Sequence, residues 1–357
     1  MDYLDKTKPI REGEEFDVKK VEAFLKDAIP GLQGELTVAQ FPGGYSNLTY
    51  LVKVGEREFV FRRPPFGRKA KSAHDMGREY RILKALKPVF PYCPAPILYT
   101  EDESVIGCPF FVMERLKGVL LRRDLPPGLT YTPEQTWQLC ENVLDVHVAL
   151  HKVDYVRAGL ENFGKPVGYV KRQVEGWSER YRQARTPDAP VYEDVMDWLT
   201  KTMPGDSGIV SVIHNDYRFD NVVLAPDNPP LKVLGILDWE MATIGDPLMD
   251  LGGTLAYWID RDDPPDRHAV SLVPTNKMEG AMTRKELVSR YADKMGISIE
   301  HIDFYHVFGL FRLSVIAQQI YYRFYHGQTK DERFKLMIIA NGVLEATAKR
   351  IIAESKL

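Results

Sequence analysis

Apolar residues recur along this chain with two different periods, and the change of period organises it. Between Asp17 and Leu25 they fall at Val18, Val21, Phe24 and Leu25, with Asp17 as an N-cap and Pro30-Gly31 beyond, which predicts an amphipathic helix. Three β-rich segments follow, Leu36 to Phe41, Leu48 to Val54 and Glu56 to Arg62, separated by Pro42-Gly43-Gly44 and by Gly55. They predict an antiparallel meander. In its third strand, period-two alternation puts Val60 and Arg62 on one face and Phe59, Phe61 and Arg63 on the other. Asp75 to Leu86 returns to a helical period, with Met76, Tyr80 and Leu83 inward. Prolines from Pro88 to Pro96 close that helix, and Ile97 to Glu101 and Phe110 to Glu114 bring the predicted strands to five.

Past Gly118 the pattern turns helical. Thr132-Pro133-Glu134 offers an N-cap, a proline at the first helical position and an early acid, and Trp137, Cys140, Leu144, His147 and His151 then share one face. A helix is expected over 191–203, and short apolar strands over 209–213 and 231–237. Thr283-Arg284-Lys285-Glu286 is a capping box, and two long apolar-periodic helices, His301 to His326 and Glu332 to Glu354, end the chain. The fold class expected from these elements is α+β.

Composition narrows the setting. With 44% hydrophobic residues among 357, the chain can bury a full core. It has no apolar run of about eighteen residues, and its acidic start lacks the basic and apolar regions of a signal peptide, so a cytoplasmic location is expected. Cys93, Cys108 and Cys140 lack metal-ligand spacing, and an odd count argues against a disulfide framework. A net charge of -3 gives no electrostatic footprint for nucleic acid or an anionic membrane, so neither is an expected partner.

The chemistry gathers in His214-Asn215-Asp216-Tyr217-Arg218-Phe219-Asp220-Asn221 and in Asp238, which ends the second apolar strand. Hard oxygen donors of this kind suit Mg²⁺ carrying phosphates. Phosphoryl transfer needs a carboxylate to orient the attacking hydroxyl, a role that fits Asp216, and oxygen ligands for the metal, which Asn221 and Asp238 supply. Gly43 and Gly44 would let backbone amides approach a phosphate, although a glycine pair between strands also serves as a plain hairpin. His147 and His151 stand at i and i+4, a zinc-binding spacing, but Val148 and Ala149 follow His147 where a catalytic glutamate would be needed. Packing on a helix face is the favoured reading of that pair.

His214-x-Asp216-x-x-x-x-Asn221 together with Asp238 resembles the catalytic loop and metal aspartate of the aminoglycoside phosphotransferase and choline kinase families, relatives of protein kinases. The run from Leu237 to Leu251 is most similar to the kinase-like domain at the N-terminus of some large acyl-CoA dehydrogenases. The resemblance implies a bilobal protein kinase-like fold. Residues 1–116 would form a nucleotide-binding lobe with a five-stranded antiparallel sheet and a helix, and residues 117–357 a mainly helical catalytic and substrate-binding lobe. It further implies that Gly43, Gly44, Ser46 and Asn47 cover the nucleotide, and that backbone groups near Met113, Glu114 and Arg115 bind the base. Arg62 stands where many related kinases place a lysine and would pair the phosphates with Glu79; a guanidinium can bridge both bidentately. Asp250 would brace the catalytic loop, and His214 would bond backbone near the metal aspartate.

The expected activity is transfer of the γ-phosphate of ATP or GTP, with Mg²⁺, to a hydroxyl of a small molecule, such as a hydroxyacyl thioester or another small alcohol. The arginine at position 62 keeps a catalytically silent nucleotide-binding module as an alternative, and the histidine pair keeps a metal-dependent phosphohydrolase. Tyr257, Trp258, Phe311, Tyr321 and Tyr322 would line an acceptor pocket or fill the core. The nucleotide and the acceptor are the expected partners, and a homodimer is compatible with the sequence.

Overall fold

Residues 3–42, 47–65, 75–329 and 331–357 are described by the computed structural model. The chain begins with α1 (Val18–Ala28), β1 (Leu36–Gln40), β2 (Leu48–Val54), β3 (Arg57–Arg63) and α2 (Met76–Leu86). It continues through β4 (Pro96–Thr100), α3 (Glu103–Ile106), β5 (Phe110–Glu114) and β6 (Val119–Leu120). Helices α4 (Pro133–His151), α5 (Tyr169–Ala184) and α6 (Glu193–Lys201) precede β7 (Ser211–Ile213), β8 (Val222–Leu224), β9 (Val233–Ile236) and β10 (Thr243–Gly245). The chain ends with α7 (Pro247–Tyr257), α8 (Pro265–Ala269), α9 (Arg284–Met295), α10 (Ile302–Tyr325) and α11 (Met337–Glu354). No helix among the described residues is long and apolar enough to cross a membrane.

These elements form two compact units, one of Met1–Leu120 with Val222–Ala242, the other of Leu121–Asn221 with Thr243–Leu357. The stretch carrying Asp238 belongs to the first unit, where β8 and β9 join β6 in a three-stranded sheet of their own, ordered β6-β8-β9. β8 pairs antiparallel with β6 and with β9, and the Ile236 N–H donates to the Tyr92 carbonyl at 2.8 Å.

In the first unit, β1 to β5 make an antiparallel sheet ordered β1-β2-β3-β5-β4. The alternation expected in β3 is what the fold uses. Phe59 and Phe61 enter a core with Val21, Leu25, Tyr50, Val52 and Phe110, where the Phe61 and Phe110 rings stack 4.6 Å apart. Burying aromatic side chains of this size contributes roughly 2–3 kcal/mol each. Arg62, one residue out of phase, is thereby turned away from those rings and toward α2. That helix starts at Asp75, whose side chain accepts the Arg78 N–H at 2.8 Å. This cap fixes where Glu79 sits, on the first turn and 1% exposed.

In the second unit, α10 packs against α7, α11 and α5. A Cβ on Gly252 would collide with the Tyr305 carbonyl oxygen, and one on Gly309 with the carbonyl of Gly252. Glycine at both positions therefore permits the backbones of α7 and α10 to approach this closely. α4 starts as expected with Thr132 as N-cap, closed into a capping box by Gln135. α5 has no counterpart in the expected elements. It follows Gly168, lacks a side-chain cap, and hides its apolar residues Val170, Val174, Trp177 and Tyr181 among six charged ones.

Candidate active site

In the second unit, β7 delivers the chain into the loop that starts at His214, and the short pairing of β7 with β10 holds that entry. Asn215 takes a left-handed conformation with φ 64°, an uncommon one for a residue with a side chain. What over-determines the turn is Asp250, on the first turn of α7. Its carboxylate accepts the backbone N–H of His214 at 2.8 Å and of Asn215 at 2.7 Å. Two histidines close on the same group, His147 Nε2 at 3.2 Å and His151 Nε2 at 3.1 Å from Oδ2, while the Tyr291 hydroxyl lies 2.6 Å from His151 Nδ1. The His147 ring also stacks on Tyr217, with centroids 4.0 Å apart and planes within 3°.

This cluster is buried throughout, and burial sets its proton affinities. Burial alone would raise the Asp250 carboxyl, but hydrogen bonds from His147 and His151 outweigh it and hold the group well below the usual carboxylate range. Burial and the neighbouring His151 push His147 down to about 4. The ligand atoms of His147, His151 and Asp250 lie within 4.8 Å of one another, close enough to hold a metal ion, yet hydrogen bonding within the cluster already accounts for their convergence. The pair packs on a helix face, as its spacing suggested, and also braces the loop through Asp250.

Beyond the turn, a single 3₁₀ turn over Phe219–Asn221 brings Asn221 back under Asp216. The Asn221 Nδ2 donates at 2.9 Å to both the Asp216 carbonyl and its Oδ2. The Asp216 N–H in turn donates to His214 Nδ1 at 3.2 Å. Arg218 Nε lies 3.3 Å from Asp216 Oδ2 and 3.2 Å from Asp220 Oδ1, and its guanidinium covers the Tyr257 ring at 4.8 Å. Burial pushes Asp220 up to about 6, with Arg218 opposing and Asp216 adding to the shift. Neither Arg218 nor Asp220 figures among the expected site residues; their place inside the motif was the available signal.

A second cluster lies in the first unit, around Arg62. Its Nη1 donates to Glu79 Oε1 at 2.6 Å, and its Nη2 to Asp238 Oδ1 at 2.5 Å and Glu240 Oε2 at 3.4 Å. The expected pairing of Arg62 with Glu79 is therefore present, and the expected metal aspartate joins it. Burial lowers the arginine's proton affinity, but Glu79, Asp238 and Glu240 outweigh this and hold it cationic. Burial raises Glu79 to about 7, against the pull of Arg62. Asp238 itself has a left-handed backbone, φ 68°. Asn47 is 1% exposed and donates to Glu240 Oε2 at 2.5 Å. Gly43, Gly44 and Ser46 lie outside the described residues. Glu240 is a further member of this cluster that the motif reading missed, although it stands two positions after Asp238.

Met113 and Glu114 end β5, and the Glu114 N–H is already donated to the Ala95 carbonyl at 2.8 Å. Arg115 Nη1 pairs with Glu58 at 2.5 Å. Of the aromatic residues, Tyr257 and Trp258 line a cavity of about 10 Å³ with Arg218 and Phe219, room for one water at most. Phe311 packs instead against Tyr181 and Tyr192, and the Tyr321 hydroxyl donates to Asp188 at 2.6 Å.

Each of the two residues expected to hold Mg²⁺ carries an oxygen donor of the hard kind. Asn221 commits its Nδ2 to Asp216, so the amide oxygen is the atom it can offer a metal, and Asp238 offers carboxylate oxygens. Both are hard ligands.

Comparison with known proteins shows the family of the chain. Residues 37–272 match the sequence model of the phosphotransferase enzyme family, and the chain belongs to that family. Among characterised sequences it is 33% identical over 324 residues to human acyl-CoA dehydrogenase family member 11, covering 89% of this chain. It spans only 40% of that relative's length. Among solved structures, a Ralstonia eutropha protein provisionally assigned as an aminoglycoside phosphotransferase is 29% identical, with a TM-score of 0.80 over 96% of this chain and 100% of the other. The aminoglycoside phosphotransferase APH(4)-Ia, solved with AMP-PNP and hygromycin B, shares the fold at 15% identity and a TM-score of 0.57, over 92% of this chain and 98% of that one. The fold is thus kinase-like, of mixed α and β structure with a five-stranded antiparallel sheet.

Proposed function

We propose that this protein is a Mg²⁺-dependent kinase that transfers the γ-phosphoryl group of ATP or GTP to a hydroxyl group of a small molecule. The observation that carries the proposal is the pair of hydrogen bonds that the Asn221 amide donates to Asp216, within a loop pinned by Asp250. Asp216 orients the acceptor hydroxyl and takes its proton; the loop holds that carboxylate in one position, which is the main thing phosphoryl transfer asks of a protein. Asn221 and Asp238 are the proposed metal ligands, and a bound Mg²⁺ would neutralise phosphate charge. Arg62, kept cationic and held by Glu79, faces the phosphates, with Asn47 beside them. The backbone from Met113 to Arg115 is proposed to meet the base; since Glu114 has its N–H engaged, Arg115 and the residues after it carry that role.

For the acceptor we favour a hydroxyacyl thioester or another small alcohol. The human relative is an acyl-CoA dehydrogenase family member, and Arg218 sets a cation beside Asp216, which disfavours a polycationic acceptor. A cytoplasmic location belongs to the same reading.

The contact of Arg62 Nη2 with Asp238 supports a second reading, a module that binds nucleotide without transferring phosphate. Nucleotide binding with and without Mg²⁺, measured alongside γ-phosphate consumption over a library of hydroxyl compounds, separates the two. The kinase reading expects a phosphorylated product detectable by mass. Binding without consumption across the library favours the silent module.

A further inference from the structure

Glu240 has no part in the reading above, yet it completes the surroundings of Arg62. The Arg62 side chain is 8% exposed, and the acids around it arrive from separate segments, Glu79 from α2 and Asp238 and Glu240 from the stretch after β9. Nη1 is committed to Glu79, 2.6 Å away. Nη2 is shared between Asp238 at 2.5 Å and Glu240 at 3.4 Å. The Glu240 oxygen that meets Arg62 is also the one that accepts from buried Asn47 at 2.5 Å.

We propose that Glu240, anchored by Asn47, is a positioning residue that fixes the orientation of the Arg62 guanidinium toward the nucleotide phosphates, so that this site requires arginine at position 62 and fails with lysine. The inference rests on the phosphotransferase reading.

The physical reason lies in the shape of the guanidinium. Its two Nη atoms diverge in a rigid plane, so fixing Nη1 on Glu79 leaves rotation about that contact as the freedom to be removed, and a second acceptor on Nη2 removes it. Asp238 alone is a poor second acceptor, because any other cation that draws on its carboxylate loosens the hold. Glu240 keeps an acceptor beside Nη2 in that event. Its own position is set by Asn47, whose amide has little freedom when 1% exposed. An ammonium group concentrates its donors on a single nitrogen. It cannot span Glu79 on one side and Glu240 on the other, and it would leave one of these carboxylates without its cation.

Four proteins test this: the unaltered chain, R62K, E240Q and R62K/E240Q, with Mg·ATP affinity measured by titration calorimetry and melting temperature measured without nucleotide. R62K and E240Q are each expected to weaken Mg·ATP binding by about 10-fold or more. The double variant should be no weaker than the weaker single within about 3-fold, because both substitutions break one unit. N47A should reproduce part of the E240Q loss, which guards against misfolding of any one variant. Affinity in E240Q equal to that of the unaltered chain, or losses that multiply in the double variant, would overturn the inference. The melting temperatures keep the two ideas apart. Coupled shifts in R62K and E240Q, with no nucleotide bound by the unaltered chain, would defeat the phosphotransferase reading while leaving the Arg62–Glu240 hold intact; independent shifts would defeat the inference itself.

Discussion

Asn221 donates its side-chain amide to Asp216 twice, at 2.9 Å to the backbone carbonyl and at 2.9 Å to Oδ2. One side chain thereby fixes both the backbone and the carboxylate of the proposed catalytic residue. Replacing it with alanine should free the carboxylate to rotate while leaving the core untouched. Turnover of N221A should fall by about 100-fold or more, with a melting temperature within a few degrees of the unaltered protein. Steady-state kinetics beside a thermal melt check both halves.

The brace behind that loop should matter for stability more than its distance from the chemistry suggests. Asp250 accepts four polar hydrogens in a site 1% exposed, two of them backbone N–H groups. In D250N, an amide nitrogen would face donors where an oxygen now accepts. We expect a loss of about 3 kcal/mol or more in chemical denaturation, the scale for removing a buried charge from the donors that satisfy it.

Acid should destabilise the protein through His147. Its folded-state value is about 4, against an ordinary 6.5, because burial disfavours the imidazolium. Between those values the unfolded chain binds more protons than the folded one, so stability falls as pH drops from 6.5 toward 4 and this contribution is constant above 6.5. At about 1.4 kcal/mol per pH unit, the effect reaches at most about 3 kcal/mol. Denaturation midpoints across that window should show the slope, and it should flatten in H147N, whatever the absolute stability of that variant.

The crossing of α7 and α10 gives a prediction from sterics alone. A Cβ at Gly252 meets a backbone carbonyl, that of Tyr305, which cannot swing aside as a side chain could. G252A should therefore cost about 1–3 kcal/mol or more despite its gain in helix propensity. A melt showing G252A as stable as the unaltered protein would count against the close approach.

Much of this was legible in the sequence because the signals were local. Asp17, Thr132 and Thr283 each cap the helix expected of them, and β2 and β5 begin and end where the pattern put them. The period-two reading of β3 placed Arg62 opposite the Phe59–Phe61 face, while its pairing with Glu79 came only from the family resemblance. What escaped the sequence depended on contacts distant in the chain. α5 is too highly charged for its apolar stripe to stand out. Glu240 joins the arginine cluster through partners 178 and 193 positions away. The assignment of residues 222–242 to the first unit follows from a short strand pairing with β6, too brief to leave a pattern.

The central claim is that Asp216 orients a hydroxyl for phosphoryl transfer, and D216N tests it most directly. The variant keeps the shape of the side chain and removes its charge. Measured over the library of hydroxyl compounds, Mg·ATP binding by D216N should stay within about 3-fold of the unaltered protein while γ-phosphate transfer falls by about 1,000-fold or more. Transfer by D216N at the unaltered rate would contradict the account.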